Sequence, residues 1–509
     1  MTERTAPPGQ EVAIAAETSA DKGLRPKASG TRIYFVASLV APAAALLRNI
    51  VIARMLGPEM FGLAVTLIVT GQFFDTVTNI GSDQFLVQDD DGETPKVQAM
   101  AQLTMVIRGI FSAAMMVAVA TPVAYFYHQP QLGVPLMLMG LIPLCAAFSH
   151  LDIRRYQRQH KFAPESRALI VSELSSLGVA VVLAVWLHHH HATLGYYAAL
   201  GALLARTAIL VLMTHIVAER RYQLSYEAKS AGKMVRFGWP LLLNGGLLFF
   251  GGQGDRILIG HFMGPTALGL YSTALLLIFY PATVAQRFLS NIHFPQLVAA
   301  RKAHAGMVQA EGRLKGDIMV VGVLAAIGFV MVAPIALYHL YGPRFAQAPM
   351  LVGLIGVLQC TRMLRVWPAT IALAMGRTGI ILSSNIVRMI ALPLAWLGYT
   401  LGYGLIGLTL GMILGEVISI MSSLWPFASS RGRQFRAIAM TTLILAATLA
   451  EVVSLALMMS HGLSIERATG AVGAAALLAL LLVTDTPLVA TLRGLMTTLR
   501  TRKSTSAAK

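Results

Sequence analysis

The sequence predicts an all-α, polytopic membrane protein with about 14 transmembrane helices. Apolar residues make up 56% of the 509 residues and charged residues only 12%, about half the charged fraction of a typical soluble domain. Apolar runs recur from Thr31 to Leu492, and each is long enough to cross a hydrocarbon layer of about 30 Å as a helix. These two observations indicate that the protein acts within the membrane or at its faces.

The apolar runs divide into predicted spans that are separated by short connectors. Proline lies within several spans, which a membrane bundle tolerates because neighbouring helices and water can bond the freed backbone groups. The predicted spans are residues 31–54, 60–86, 98–127, 131–152, 166–187, 193–217, 237–263, 266–292, 317–341, 346–374, 378–401, 404–428, 437–460 and 468–492.

Lysine and arginine fall almost entirely on one side of these spans. Of the 40 such residues, 29 lie on the side of the two termini, 3 on the other side and 8 deep within spans, with those at the very end of a span counted on the side that the end faces. Because cytoplasmic loops of membrane proteins are enriched in Lys and Arg, we expect both termini in the cytoplasm. The cytoplasmic segments would be a disordered tail (1–30), a linker (218–236) and a basic tail (493–509).

The net charge of +17 therefore indicates topology and contact with anionic membrane lipids, and it does not indicate nucleic-acid binding. We expect no cofactor, no metal and no enzymatic activity. The sequence has no phosphate-binding GxxxxGK[ST] loop and no Ser/His/Asp or HExxH arrangement. The histidine run 188–191 is more typical of a polar helix cap than of a metal site, since no acidic or cysteine partner is beside it.

One phrase occurs twice. Residues 48–63 read RNIVIARMLGPEMFGL, and residues 255–270 read DRILIGHFMGPTALGL. The offset contains six predicted spans, an even number, so both copies enter the membrane from the same side as parallel repeats. We expect two six-helix lobes, 31–217 and 237–428, that face each other across a central cavity, with 437–492 as an appended helix pair.

The Gly-Pro step within each copy also has a local explanation. Glycine ends a helix in a left-handed conformation, and proline begins the next helix without needing an amide donor. A third Gly-Pro, at Gly342 and Pro343, lies in another predicted outer loop. The turn chemistry alone therefore leaves the question of duplication open.

Arginine inside the predicted spans is the main functional signal. A charge at mid-bilayer costs at least ~2.5–3.5 kcal/mol, so it needs a partner or a water-filled cavity. Any one of these arginines can be structural: Arg256 can pair with Asp255, and Arg388 can reach the interface. Together they suit an anion, because guanidinium binds phosphate in a bidentate manner and stays charged. The arginines within spans are Arg48, Arg108, Arg206, Arg256, Arg287, Arg362, Arg365 and Arg388.

These residues yield a predicted site. The residues predicted to bind substrate are Arg48, Asn49, Arg256, Arg287, Arg362 and Arg365. The residues predicted to couple a proton or sodium ion are Asp75, Asp255 and Glu416. Amide side chains that can bond sugars are Asn49, Gln72, Asn244, Gln253 and Gln359.

Three passages resemble one known family. ARMLGPEMFGLAVTLIVTGQFFDTVTNIGSDQFLVQ, DRILIGHFMGPTALGLYSTA and LYGPRFAQAPMLVGLIG resemble, in order, passages of the polysaccharide transporters, the flippases for O-antigen and exopolysaccharide repeat units. The resemblance covers residues 31–430. It implies the multidrug/oligosaccharidyl-lipid/polysaccharide exporter fold, with two lobes forming a V. It also implies that Arg48 and the Asp255–Arg256 pair lie near the cavity.

The resemblance further implies a substrate. This would be undecaprenyl pyrophosphate carrying a short glycan, flipped to the periplasmic leaflet of the bacterial inner membrane by alternating access. Expected partners are this lipid-linked anionic oligosaccharide, membrane lipids and the polysaccharide polymerase or export machinery. Alternatives are a lipid II flippase, a multidrug/cation antiporter, a membrane scaffold, and a polymerase or ligase of the glycan pathway. The sequence leaves the glycan, the coupling ion and the oligomeric state open.

Overall fold

The computed structural model describes residues 28–303, 305–345 and 349–427. Within these ranges all regular secondary structure is helical, which confirms the predicted all-α class. The helices, in chain order, are α1 (Ala28–Val77), α2 (Ser82–Gln88), α3 (Pro95–Phe126), α4 (Gly133–Met139), α5 (Leu141–Ala146), α6 (Asp152–Arg158), α7 (Ala163–His190), α8 (Tyr197–Ile216), α9 (Ala228–Phe262), α10 (Gly264–Lys302), α11 (Met307–Tyr341), α12 (Pro349–Leu364), α13 (Val366–Ala374), α14 (Thr378–Arg388), α15 (Ala391–Gly398) and α16 (Gly404–Leu424).

The described helices are those of a multi-pass membrane protein. Large apolar side chains such as Ile107 (58% exposed) and Phe111 (56% exposed) on α3 point out of the bundle, where lipid and not water is the favourable surrounding. Six helical stretches are long and apolar enough to span: Val36–Val77, Pro95–Phe126, Ala163–His190, Tyr197–Ile216, Gly264–Lys302 and Thr378–Leu424. Predicted spans 437–460 and 468–492, together with the tails 1–27 and 493–509, lie outside the described residues, so the total of fourteen stays a prediction.

The Gly-Pro turns have the predicted conformation. Gly57, Gly264 and Gly342 have φ angles of 81°, 82° and 95°, a region that side chains with a Cβ rarely adopt. Gly57 breaks α1 into two segments, and Gly264 begins α10 directly after α9 ends. We call the end of the bundle that carries these three turns the GP end.

Four of the predicted spans in the described residues are not continuous helices. Span 346–374 is divided into α12 and α13, and span 378–401 into α14 and α15. The other two lie in the N-terminal part of the chain. Span 60–86 ends at Val77, because Gly81 has a φ of 67° and its N–H bonds the side chain of Asn79 before α2 begins. Span 131–152 is divided into α4 and α5 at Gly140 and ends before the separate helix α6. Pro143 contributes to this break, because a proline lacks the amide donor that an uninterrupted helix needs at that position.

The two copies of the repeated phrase pack against each other at the GP end. A methyl group added to Gly62 would lie 1.7 Å from the carbonyl oxygen of Pro265, and one added to Gly269 would lie 1.9 Å from that of Pro58. The contact is thus reciprocal, because the glycine of each copy packs against the proline of the other. We call α1–α8 (28–217) the first half and α9–α16 (228–427) the second half.

A hydrogen-bonded cap strengthens the contact between the halves at the GP end. The Arg54 guanidinium donates to the carbonyl oxygens of His339 (2.8 Å) and Leu340 (3.1 Å). These carbonyls belong to the last turn of α11, where a cation is favourable because the helix dipole is negative there.

The opposite end, which we call the basic end, contains α2, α6 and the start of α9. Asp152 of α6 is fully buried there, and its carboxylate accepts from Arg155 Nε (2.7 Å) and from the backbone N–H of Glu219 (2.9 Å). Burial alone raises the pKa of Asp152, but these bonds and a third from the Arg220 amide outweigh it, so the net shift of the pKa is downward. The carboxylate therefore joins α6 to the chain after α8.

Candidate functional site

The first cluster of charges joins three helices of the first half. Arg48 Nη1 of α1 donates to Glu173 Oε2 (2.9 Å) and to Ser176 Oγ (2.9 Å), both on α7. Arg206 Nε of α8 donates to the other carboxylate oxygen of Glu173 at 2.5 Å. Arg48 and Glu173 are 8% and 5% exposed. This Glu173 cluster therefore has two guanidiniums and one carboxylate, a net charge of +1.

The second cluster lies in the second half around Glu416 of α16, which is fully buried. Its Oε1 accepts from Arg362 Nε (3.0 Å) and from Arg388 Nε (2.7 Å). Arg362 also reaches Asp255 Oδ2 of α9 at 3.3 Å, and Tyr271 donates to that same oxygen at 2.9 Å. Arg362 thereby connects α9, α12 and α16.

The guanidiniums of two further arginines in this Glu416 cluster bond only side-chain amides within the described residues. Arg256 Nη1 donates to Gln253 Oε1 (2.7 Å), and its buried Nε has no hydrogen-bond partner within the described residues. Arg365 Nη1 donates to Asn385 Oδ1 (3.1 Å) beside a small cavity of ≈ 130 Å³. With four guanidiniums and two carboxylates, the Glu416 cluster has a net charge of +2.

The seam between the halves brings three predicted site residues together. Tyr280 of α10 lies within electrostatic range of both Arg48 and Arg256. Asn49 Nδ2 donates to the Tyr280 hydroxyl at 3.5 Å, across the seam. Tyr280 thus lies near arginines of both clusters.

Amides and aromatic rings continue this seam. Gln253 Nε2 donates to Gln72 Oε1 at 2.9 Å, which links the second half to the first. The ring of Phe73 contacts those of Phe249 and Phe250, with centroid distances of 5.2 Å and 5.9 Å. Polar and aromatic groups that can change partners therefore lie beside the charged clusters.

The three residues predicted to couple an ion each have an arginine partner. Asp255 bonds Arg362, Glu416 bonds Arg362 and Arg388, and Asp75 bonds Arg108. Asp255 and Glu416 are fully buried, whereas the Asp75 side chain is 69% exposed. Ion coupling stays a prediction.

Arg287 lies apart from both clusters. It is exposed on α10 and contributes to a cavity of ≈ 410 Å³ at the basic end, whose other lining residues belong to the first half. Within the described residues no carboxylate pairs with it. The six residues predicted to bind substrate are thus divided between the seam, the Glu416 cluster and this cavity, and their binding role stays a prediction.

Sequence reasoning missed Tyr280 and Tyr271 as members of the site. Tyr280 interrupts an apolar run just before Pro281, which was the available signal. The sequence also suggested that Arg256 could pair with its neighbour Asp255. In the structure the Asp255 carboxylate bonds the guanidinium of Arg362 instead, and Arg256 bonds that carboxylate only through its backbone N–H.

The fold is that of membrane transporters and flippases. The structure of a lipid II flippase, MurJ, in an inward closed conformation matches with a TM-score of 0.65, covering 87% of this chain and 97% of that one at 9% identity. An inward-facing multidrug resistance MATE family transporter of the MOP superfamily matches with a TM-score of 0.58, covering 80% of this chain and 99% of that one at 13% identity. At such identities the likeness shows the fold alone.

The sequence comparison identifies the family. The family described as polysaccharide biosynthesis protein matches residues 51–349, more than half of the chain, so the chain belongs to that family. The amylovoran biosynthesis protein AmsL of Erwinia amylovora is 24% identical over 334 residues, 64% of this chain and 84% of that protein. The teichuronic acid biosynthesis protein TuaB of Bacillus subtilis is 22% identical over 308 residues, 60% of this chain and 62% of that protein. These matches confirm the family resemblance of the sequence.

Proposed function

We propose that this protein flips undecaprenyl-pyrophosphate-linked oligosaccharide repeat units across the bacterial inner membrane during polysaccharide assembly. The sugar-diphosphate head crosses between the two halves, which act as lobes, while the lipid tail stays in the bilayer. The family places the chain in polysaccharide biosynthesis, and the fold is shared with a lipid flippase. Our proposal adds the identity of the substrate, the undecaprenyl-pyrophosphate-linked oligosaccharide.

The observation that carries the proposal is the positive surplus of the two charged clusters, one in each half. The Glu173 and Glu416 clusters hold six guanidiniums, on Arg48, Arg206, Arg256, Arg362, Arg365 and Arg388, against carboxylates on Glu173, Asp255 and Glu416. Three positive charges are left over. A diphosphate that links a lipid to a sugar carries roughly two negative charges at neutral pH, since each of its two phosphates is ionised. The surplus is thus opposite in sign to the charge of such a head and exceeds it by about one charge.

The direction of transport follows from the distribution of charge along the chain. With the basic end in the cytoplasm, the head enters where lipid-linked units are made and leaves at the GP end. An inside-negative potential favours outward movement of negative charge by ~2.3 kcal/mol per charge per 100 mV. The reciprocal glycine contact supports a GP end that is closed while the head enters.

The same surplus separates this proposal from the alternatives. A cation antiporter needs acidic groups facing its cargo, whereas Glu173, Asp255 and Glu416 are each bonded by arginine. A lipid II flippase would suit the arginines equally well. The matched relatives favour the polysaccharide substrate, because both are named for polymer biosynthesis.

Deletion of the gene tests the function directly. Labelled lipid-linked repeat units should accumulate in the deletion strain and stay protected in intact spheroplasts from a membrane-impermeant periodate reagent. Complementation with the wild-type gene should restore oxidation. Unchanged oxidation in the deletion strain would overturn the proposal.

Two variants test the site in the same strain. Arg48→Ala and Arg256→Ala should each lower the oxidised fraction at least about tenfold, because a charge-assisted hydrogen bond is worth ~1.5–3 kcal/mol. Arg301→Ala, at the exposed end of α10, is the matched control and should complement fully. Full complementation by Arg48→Ala and Arg256→Ala would remove these residues from the site and leave the fold unaffected.

A further inference from the structure

The cavity of ≈ 410 Å³ at the basic end has the chemistry of a sugar-phosphate site. We propose that it is a docking site for the first sugar and the adjoining phosphate of a lipid-linked glycan. The inference rests on the proposed function and extends it, because it gives the substrate a place to bind before it reaches the arginine clusters. We call this space the α6 cavity, after the helix that forms one wall.

Among the described residues that line the α6 cavity, one arginine is available to an anion. Arg287 is exposed and, within the described part of the chain, has no carboxylate partner. The other cation in the lining, Arg154, is engaged by Asp83 (3.1 Å) and Glu165 (3.0 Å). An incoming phosphate therefore meets a guanidinium that need not give up another partner.

The remaining polar groups suit sugar hydroxyls. Arg154 bonds one carboxylate oxygen each of Asp83 and Glu165, and Gln157 adds an amide whose oxygen lies 3.1 Å from Arg154 Nη1. Carboxylates and amides accept from hydroxyl groups in several directions. An anion without hydroxyl groups would leave these acceptors unused, so the lining favours a sugar attached to the phosphate.

An aromatic pair at the cavity supports the same ligand. The rings of Tyr34 on α1 and Phe162 before α7 lie 5.3 Å apart, and both residues belong to the lining. Tyr34 is 53% exposed, so an apolar surface stays open there. The C–H face of a pyranose is apolar and packs on such a surface, while its hydroxyl groups point sideways to the carboxylates.

Two buried polar atoms of the lining residues lack partners. Ser166 is only 2% exposed, and its Oγ has no hydrogen-bond partner within the described residues. The same holds for Arg154 Nε. Buried polar atoms are nearly always bonded. Both atoms are closed to solvent, so a ligand in the cavity reaches them only after a small shift of these side chains.

The size of the cavity limits what it can hold. Small-ligand pockets usually measure about 300–1,000 Å³, and ≈ 410 Å³ lies near the lower bound. This space accepts about one or two sugars with a phosphate, and not a whole repeat unit. The α6 cavity would therefore recognise the end of the glycan next to the lipid, whatever sugars follow.

Binding of defined lipids to the full-length protein in phosphatidylcholine nanodiscs tests the proposal. One probe is undecaprenyl diphosphate carrying a single hexose, and the other is undecaprenyl diphosphate without sugar. Arg287→Ala should weaken both by about 10- to 100-fold, since it removes a charged donor to phosphate. Phe162→Ala should weaken the hexose-bearing probe several-fold and leave the sugar-free probe unchanged. Arg301→Ala lies on the same helix about 21 Å further along and is the matched control.

The outcomes separate the docking site from the proposed function. Wild-type affinity of Arg287→Ala, or equal effects of Phe162→Ala on both probes, would overturn the docking site. Equal competition by phosphatidylglycerol would also overturn it, because the cavity would then accept any anionic lipid head. The two probes can bind as expected while deletion of the gene leaves the distribution of lipid-linked units between the leaflets unchanged. That combination would overturn the proposed function and leave the docking site standing.

Discussion

Replacing Gly62 by alanine should weaken the closure of the GP end. The added methyl carbon would lie 1.7 Å from the Pro265 carbonyl oxygen, whereas ordinary van der Waals contact begins at 3.4 Å. The two backbones must therefore separate by about 1.7 Å, the difference between these distances. Both colliding partners are backbone atoms, so rotation of a side chain cannot relieve the collision.

The expected magnitude follows from the cost of such overpacking. Inserting a methyl group into a well-packed contact costs typically ~1–3 kcal/mol. In the proposed cycle this cost is paid only while the GP end is closed, so it shifts the closed-to-open ratio by about 5- to 150-fold. Transport should slow, because a protein that spends less time closed at the GP end presents the basic end to substrate less often.

Distances between spin labels at His191→Cys and Tyr403→Cys measure the effect, in a chain without Cys145 and Cys360. Both positions are exposed at the GP end, in the first and the second half respectively. The Gly62→Ala variant should populate longer distances than its parent. Gly178→Ala is the control, because a methyl group there meets no atom within 4 Å. Both changes raise helix propensity alike, by roughly 1 kcal/mol, so their difference reports the contact.

The reciprocal glycine supplies a second test. Gly269→Ala should have the same effect as Gly62→Ala, since its methyl group would lie 1.9 Å from the Pro58 carbonyl oxygen. The double variant should cost less than the sum of the two single variants, because the separation forced by one relieves the other. A distance distribution for Gly62→Ala equal to that of Gly178→Ala would refute the assignment of this contact to the closed state.

Three further predictions concern carboxylates. Glu416→Gln should lower the free energy of unfolding of the detergent-solubilised protein by about 3–5 kcal/mol, because two buried guanidiniums lose their shared counter-charge. A thermal melting curve measures this loss, and Glu416→Asp should be less destabilised. Asp152→Asn should lose about 1–2 kcal/mol at pH 7. The pKa of Asp152 in the folded protein is lowered from its ordinary value of 3.8. The contribution of its carboxylate to the free energy of unfolding is therefore complete above that pH and disappears as the pH falls below it. Wild type and Asp152→Asn should consequently have the same stability in strong acid. Glu173→Gln raises the net charge of its cluster from +1 to +2 and should tighten binding of undecaprenyl diphosphate while slowing its release, measured by association and dissociation kinetics in nanodiscs.

The turns were predictable from the sequence because their causes are local. Gly57, Gly264 and Gly342 precede proline, and a left-handed glycine followed by proline is the usual way to end one helix and begin another. The reciprocal contact of Gly62 and Gly269 was not predictable in this way. It requires the two copies to meet, and the sequence shows only that they are similar.

The partners of the arginines were not predictable for a related reason. Arg48 and Glu173 are 125 positions apart, and Arg362 reaches Asp255 across 107 positions. Adjacent residues such as Asp255 and Arg256 point in directions about 100° apart on a helix, so closeness in sequence does not predict a salt bridge between them. The excess of guanidiniums was visible in the sequence, whereas the bonding pattern depends on how distant helices pack.

This bonding pattern bears on release as much as on binding. Six guanidiniums without counter-charges would be costly to hold inside a membrane protein, and they would bind a diphosphate so strongly that dissociation would limit turnover, since affinity differences appear mainly in the off-rate. The carboxylates of Glu173, Asp255 and Glu416 reduce the surplus to three charges. When the ligand leaves, these carboxylates bond the guanidiniums again, so release need not leave an unpaired buried charge. A transporter needs this exchange of partners because, unlike a receptor, it must let go on the far side.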